Sequence, residues 1–319
     1  MSTVHLSVGI DVCKRWLDAF AEPLGYRRFA NSPEGVDELA AWIGGSEASV
    51  GLEATGPHHV LAAERLSEAG CSVHVYNPRR VKQLAGGLGF LAKTDRVDAR
   101  VVACCVAIVQ SPFEARSEAG KRLRDLSRHI DYLTRTRADL KKKKGEPGQS
   151  DLVAESIRRQ LDALDAEIAL LEAAWRELVE TSPLHAERYR NLLTVPRIGP
   201  KSARAVASEL PEDLSRYSRK QLAAYFGLVP CDDQSGDSRR RSRLKCGNPH
   251  LRRPLFMAAT LASYFDPECK AFADRLRAKG KHHLCVVCAV MHKLARRAIA
   301  VVLRNGPWRE NMPHPLDKP

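Results

Sequence analysis

The chain has 319 residues, 44% of them apolar, a formal net charge of +13 and a pI near 9.5. That length accommodates two ordinary domains with a helical connection, and that apolar share excludes a disordered chain. The positive balance favours a polyanionic partner, because cations placed on phosphates gain free energy by releasing counterions. No charged leader with an apolar run and small-residue cleavage site opens the sequence, and nowhere do about 18 apolar residues follow one another. A cytoplasmic protein without a membrane segment is the expectation. Nine cysteines, an odd number scattered through apolar segments, suit reduced thiols better than a disulfide framework. Only Cys285 and Cys288 form a CxxC; with His282 and His292 nearby they resemble a zinc set, but their stretch reads as one helix with buried structural thiols.

Residues 4 to 29 alternate as three short strands in a meander, VHLSVGI, WLDAFAE and YRRFA. Asn31-Ser32-Pro33 then supplies a helix cap with proline in the first turn, Val36, Leu39, Ala40 and Ile43 share one face, and Gly44-Gly45 ends the helix. A strand (ASVGLEA), a helix starting at Pro57, a strand (CSVHVYN) and a helix at Pro78 complete a βαβ-rich domain assigned to residues 1–115. From Leu123 the apolar period becomes three-four, through Leu126, Ile130, Leu133 and Leu140, with Arg137 at an expected apolar position. The lysine run 141–144 and GEPGQS form a turn. A second series follows through Ile157, Leu161, Leu164, Ile168, Leu171, Trp175 and Leu178. These coiled-coil halves, residues 116–182, either fold back on each other or pair with another subunit, and the reading favours an oligomerisation arm. Residues 183–304 read as a helical, strongly basic domain, and 305–319 as a loose tail.

Asp11 follows the apolar run LSVGI and Glu53 follows SVGL, so each carboxylate sits where a buried strand emerges. Asp95 and Asp98, in KTDRVDA, share one face of a helix's first turns, where the helix dipole favours negative charge. Taken singly, each has a bland reading as a turn, surface or helix-start residue. Together, in an order of three strands and then alternation, they fit a ribonuclease H-like fold, whose carboxylates come from the first strand, the fourth strand and a late helix. Converging acids repel unless a divalent cation neutralises them, and Mg²⁺, or Mn²⁺ in its place, takes carboxylate oxygens.

In the basic domain, LLTVPRIGPKSARAVASEL has the form of a helix-hairpin-helix, and Arg197, Gly199 and Lys201 are its candidate phosphate contacts. Arg239, Arg240, Arg241, Arg243, Lys245, Arg252 and Arg253 surround Gly247-Asn248-Pro249, and clustered guanidinium groups suit phosphate binding. At 6% aromatic residues, phosphate contacts outrank base stacking. Ser235, in Gln234-Ser235-Gly236, is a candidate nucleophile whose phosphoserine link would conserve bond energy, although the sequence shows no dedicated base.

The motifs GIDVCK, LEATG, KTDRVDA, VPRIGPKSA, YFGLVPCDDQSG, KCGNPHLRRPL and HKLARRAI stand in the order of one family. The chain resembles the DEDD transposases of bacterial insertion sequences, related to Piv-type invertases and bridge-RNA-guided recombinases. That resemblance implies a RuvC-like N-terminal domain, Asp11, Glu53, Asp95 and Asp98 as the metal-binding tetrad, and Ser235 as nucleophile. It further implies donor and target DNA as substrates, a structured bridge RNA as partner, and a homotetramer with composite sites between subunits. The residues alone also permit a Holliday-junction-type endonuclease that activates water, or a non-catalytic nucleic-acid-binding protein. The lysine run and GEPGQS depart from the family by remodelling the coiled-coil turn.

Overall fold

The computed structural model describes residues 6–44, 48–54, 56–90, 92, 94–144, 146–235, 238–244 and 247–310, with the backbone alone at 219 and 231–243. The chain divides into two compact units, Met1–Ala115 and Arg116–Pro319.

In the first unit, β1 (Ser7–Val12), β2 (Trp16–Ala21) and β3 (Gly25–Ala30) form an antiparallel meander. β4 (Ser49–Glu53) and β5 (Ser72–Tyr76) add parallel strands, giving the order β3-β2-β1-β4-β5. β1 is therefore central. The helices follow from local signals: α1 (Pro33–Ile43) starts on Ser32, whose hydroxyl accepts from the Gly35 amide, and stops at Gly44 with φ 81°. The helix expected at Pro57 begins later, as α2 (Val60–Glu68), and α3 (Pro78–Gly87) is capped by Asn77.

Val8, Ile10 and Val12 are buried in one core with residues of α1 and α2. The alternate residues of β1 point to the opposite face, which α4 (Asp95–Ile108) covers. There Gly9 is required by space: a Cβ on it would lie 2.1 Å from the Ala99 carbonyl oxygen and 2.1 Å from the Ala103 nitrogen. Gly51 on β4 plays the same part, since its Cβ would meet the Val106 side chain at 2.5 Å. Two glycines thus let α4 lie directly on the neighbouring parallel strands.

The second unit is mostly helical. α5 (Glu118–Lys143) and α6 (Asp151–Glu180) lie against each other, and Leu123, Ile130, Leu133, Ile168, Trp175 and Val179 belong to one buried core. The two arms fold back within the chain. Arg137, the polar intruder in the seam, meets Asp165 of the facing helix at 2.5 Å. Buried Arg204 of α8 (Pro200–Glu209) pins this hairpin to the rest, with Asp131 of α5 at 2.9 Å and Glu172 of α6 at 3.5 Å. α7 (Pro183–Leu193), α9 (Arg219–Tyr225), α10 (Pro249–Phe265), α11 (Pro267–Ala278) and α12 (His283–Arg304) complete the helices.

Three expectations need correcting. The basic domain is not all-helical, because β6 (Cys231–Ser235) and β7 (Ser238–Arg243) form an antiparallel hairpin. The CxxC thiols on α12 are not both buried: Cys285 is exposed and Cys288 partly covered, a consequence of their lying in the first turns of the helix. The tail is held at its start, where the Trp308 amide donates to the Thr194 hydroxyl at 2.7 Å and the Arg297 guanidinium lies over the indole ring. No described helix is long and apolar enough to cross a membrane.

Candidate active site

The β1–β4 register pairs Gly9 with Gly51 and Ile10 with Leu52, so Asp11 and Glu53 are the next step along two adjacent parallel strands. Both follow the face of the two glycines, the face that α4 covers. Since Ala99 meets Gly9, the turn before it, carrying Asp95 and Asp98, lies toward the strand ends where Asp11 and Glu53 emerge. Thr94 caps that turn, accepting from the Val97 amide at 3.3 Å. Sheet and helix thereby bring acids from three distant segments to one place.

Electrostatics register the convergence. Burial first, then the charges of Glu53, Asp98 and Asp95, push the Asp11 carboxyl up to about 6, against one backbone hydrogen bond from Val12 that pulls it down. Carboxylate oxygens are the donors that Mg²⁺ prefers, and a divalent cation would relieve this repulsion, so the donor set fits the ion. The side chains are not drawn into a coordination shell: among the described residues no group of three or more His, Cys, Asp or Glu has that arrangement. Asp95 is turned instead to Arg28, with Oδ2 2.6 Å from Nη2.

A fifth acid escaped the sequence reading. Asp18 on β2 pairs directly with Asp11, so the two share a face, and it is only 3% exposed. Arg28, opposite Asp18 on β3, donates to it from Nε at 2.7 Å, and the Tyr26 hydroxyl also donates to Asp18. The guanidinium therefore bridges Asp18 and Asp95. A charged residue inside the apolar run WLDAFA was the available signal.

In the second unit, Gly199, Lys201 and Arg253 line one cavity of about 910 Å³, together with Arg135 and the exposed apolar face of Met257 and Leu261. Gly199 is the N-cap of α8, so that helix's first amides open beside these cations. Arg197 lines the same cavity but its guanidinium is committed elsewhere: Nη2 donates to the Phe265 carbonyl at 2.7 Å at the end of α10, over the Phe265 ring. Its backbone, at φ 69°, holds the left-handed turn that glycine usually supplies. Arg252 donates to the Gly227 carbonyl at 3.4 Å.

Ser235 ends β6, paired with Ser238; Arg239, Arg240 and Arg243 pair in register with Gln234, Asp233 and Cys231, and Arg241 lies between them on β7. These are backbone placements only. Lys245 and Gly236 lie outside the described residues.

A sequence profile described as a transposase of the IS110 DEDD type matches residues 8–144, and one described as "Transposase IS116/IS110/IS902 family" matches residues 189–274. The chain belongs to the IS110 family of DEDD transposases. Its matched N-terminal region implies the ribonuclease H-like fold, consistent with a five-stranded mixed sheet. The transposase is 28% identical over 313 residues to a pilin gene-inverting protein of Moraxella bovis, covering 94% of this chain and 97% of that relative. The Moraxella lacunata protein of the same name matches equally well, at 28% over 313 residues. An IS110 insertion-element protein of Streptomyces coelicolor is 30% identical over 168 residues, 51% of this chain and 40% of its own length.

Proposed function

We propose that this transposase cuts and rejoins DNA strands, with Asp11, Glu53, Asp95 and Asp98 holding Mg²⁺, or Mn²⁺ in its place, and Ser235 as the attacking group. The observation that carries the reading is the Asp11 carboxyl, raised to about 6 by burial and then by the charges of three acids from two other segments. Acids gathered so that one is pushed upward are characteristic of functional sites. Mg²⁺ bound there supplies Lewis-acid stabilisation of charge on a phosphoryl oxygen.

The chain's own residues do the rest. The Ser235 oxygen forms a bond to phosphorus while the bond from phosphorus to the 3′ oxygen breaks. The serine proton ends on that 3′ oxygen, leaving a 5′-phosphoserine link and a free 3′ hydroxyl. Attack by a second 3′ hydroxyl on the same phosphorus reverses the exchange, so strands join without ATP. The helix-hairpin-helix turn at 195–201, with Lys201 and Arg253 in the cavity, holds phosphates without reading sequence, and the arginines in the β7 sequence supply further phosphate contacts. Guidance by a structured bridge RNA, use of separate donor and target DNA, and a homotetramer with composite sites between subunits rest on the family resemblance.

The test is recovery of protein covalently attached to a DNA 5′ end after the reaction is stopped by denaturation. The active protein should give the adduct and Ser235→Ala should not. An adduct persisting in Ser235→Ala would assign the attack to another side chain, whereas cutting by both proteins with no adduct from either would favour water activation by the acids alone.

A further inference from the structure

The hairpin bearing Ser235 is a two-stranded ribbon, a form that is marginal by itself in water. What holds it lies at its base. The chain enters through Gly227, at φ 71°, and leaves through Gly247, at φ 87°. These two meet backbone to backbone: a Cβ on Gly247 would lie 2.1 Å from the Gly227 Cα and 2.6 Å from the Ala224 carbonyl oxygen. The Asn248 amide closes the base by donating to the Tyr225 carbonyl at 2.9 Å.

Both sides of this base are tied to one buried residue. Glu209, at the end of α8 and 1% exposed, accepts from Asn248 Nδ2 at 2.6 Å through its carboxylate. Its carbonyl oxygen accepts from the Tyr225 hydroxyl at 2.8 Å. Arg128 of α5 clasps the same carboxylate, with Nε at 2.6 Å and Nη2 at 3.0 Å, and Arg124 stands 3.3 Å away. Arg116 fixes the backbone there, donating to the Glu209 carbonyl at 2.7 Å. A buried carboxylate with this many donors is costly to shift.

We infer that Glu209 and Asn248 are positioning residues for the reaction, holding both ends of the 227–247 segment to one buried point. The direction in which the Ser235 hairpin leaves the helices is set there. This rests on the serine reading above, because a hairpin that carries no reacting group needs no fixed aim.

Asn248 has two separable roles. Its Oδ1 caps α10 by accepting from the His250 amide at 2.9 Å, and its Nδ2 serves Glu209. Asn248→Ser keeps a capping oxygen of equal rank and removes the donor to Glu209. In the full-length protein with saturating DNA, single-turnover formation of the 5′ adduct should fall about 100-fold, the size of effect that a misplacement near 1 Å produces. DNA affinity should stay within about twofold, and thermal stability near that of the parent, while amides of 231–243 exchange faster with solvent than in the parent and those of α10 do not. Asn248→Thr, which also keeps a capping oxygen and removes the donor to Glu209, serves if the serine variant folds poorly, with the same expected pattern.

The outcomes separate the two claims. Wild-type adduct rate and unchanged exchange in Asn248→Ser, with Ser235→Ala inactive, would overturn the clamp and leave the serine reading intact. Equal loss of stability, DNA affinity and rate would also overturn it, since that marks a merely structural contact. An adduct in Ser235→Ala would remove the serine reading, and the amide exchange of 231–243 alone would then decide whether the clamp holds the hairpin.

Discussion

Replacing Asp11 by Asn removes one of four converging charges while keeping the side chain's shape and its acceptor for the Val12 amide. The folded protein raises this carboxyl from 3.8 to about 6. At about 1.4 kcal/mol per pKa unit that is about 3 kcal/mol against the charged form, and because the group is only partly buried, solvent screening reduces it to about 1–2 kcal/mol. The sign follows from linkage: the folded state binds the proton more tightly than the unfolded chain, so stability falls as pH rises from about 4 through 6 and the full penalty stands above about pH 7. Asp11→Asn should therefore be no more stable than the parent near pH 3.5 and more stable by about 1–2 kcal/mol at pH 7.5 in chelator, a Tm gain of a few degrees. Thermal melts at the two pH values measure it. Adding Mg²⁺ at pH 7.5 should raise the parent's Tm more than the variant's, since a ligand stabilises only the state that binds it. Strand exchange should be lost in the variant. A variant less stable than the parent at pH 7.5 without metal would refute the argument, because the carboxylate would then be held by attraction.

Two further substitutions probe how the site is built. Gly9→Ala should destabilise the protein by about 3 kcal/mol or more, because the added Cβ collides with the α4 backbone, which has no rotamer to yield; a denaturant midpoint within error of the parent would contradict the close approach. Arg197→Gly should leave stability within about 1 kcal/mol, relief of the left-handed strain offsetting loss of the Phe265 carbonyl bond, and should leave the salt dependence of DNA binding unchanged. Lys201→Ala should lower that log–log salt slope by about 1, as loss of a phosphate contact does; the reverse ranking would show that Arg197 is the DNA contact.

The first unit was legible because its signals are local. Ser32 and Gly44 bound α1, Asn77 and Pro78 start α3, and β1 falls on the apolar run that marks it. The acids could be chosen by their positions on those elements. Asp18 stood out only as a charge inside WLDAFA, and its tie to Arg28 is set by strand register, which no single strand carries. The hairpin at 231–243 was missed for a related reason: CDDQS and SRRRSR lack apolar alternation, and only the two-residue Gly236-Asp237 spacing between them signals a hairpin. Arg197 looked like a phosphate contact because the sequence gives its charge and not the geometry of its turn. Asn248 drew no role from the sequence, since its partner Glu209 lies 39 residues away.

The two units treat buried acid in opposite ways, and the contrast bears on function. In the second unit each such acid has a guanidinium: Glu209 has Arg128, and Asp266 has Arg297 at 2.9 Å, whose hydrogen bonds outweigh burial and draw that carboxyl down to about 2. Arginines used this way, Arg204 among them, are committed to the fold, so the count of 51 lysines and arginines overstates the cations left for phosphate. The cations of the Lys201 cavity and the β7 strand then matter more than their number suggests. In the first unit Arg28 compensates Asp18 and reaches Asp95, while Asp11, on the same face, is driven upward. A fold that neutralises its structural acids so thoroughly elsewhere, and places glycines at 9 and 51 to bring a helix bearing two more acids against this one, is organised around a charge deficit at Asp11. The proposed cation would relieve that repulsion, which no described side chain does at Asp11 as Arg28 does at Asp18.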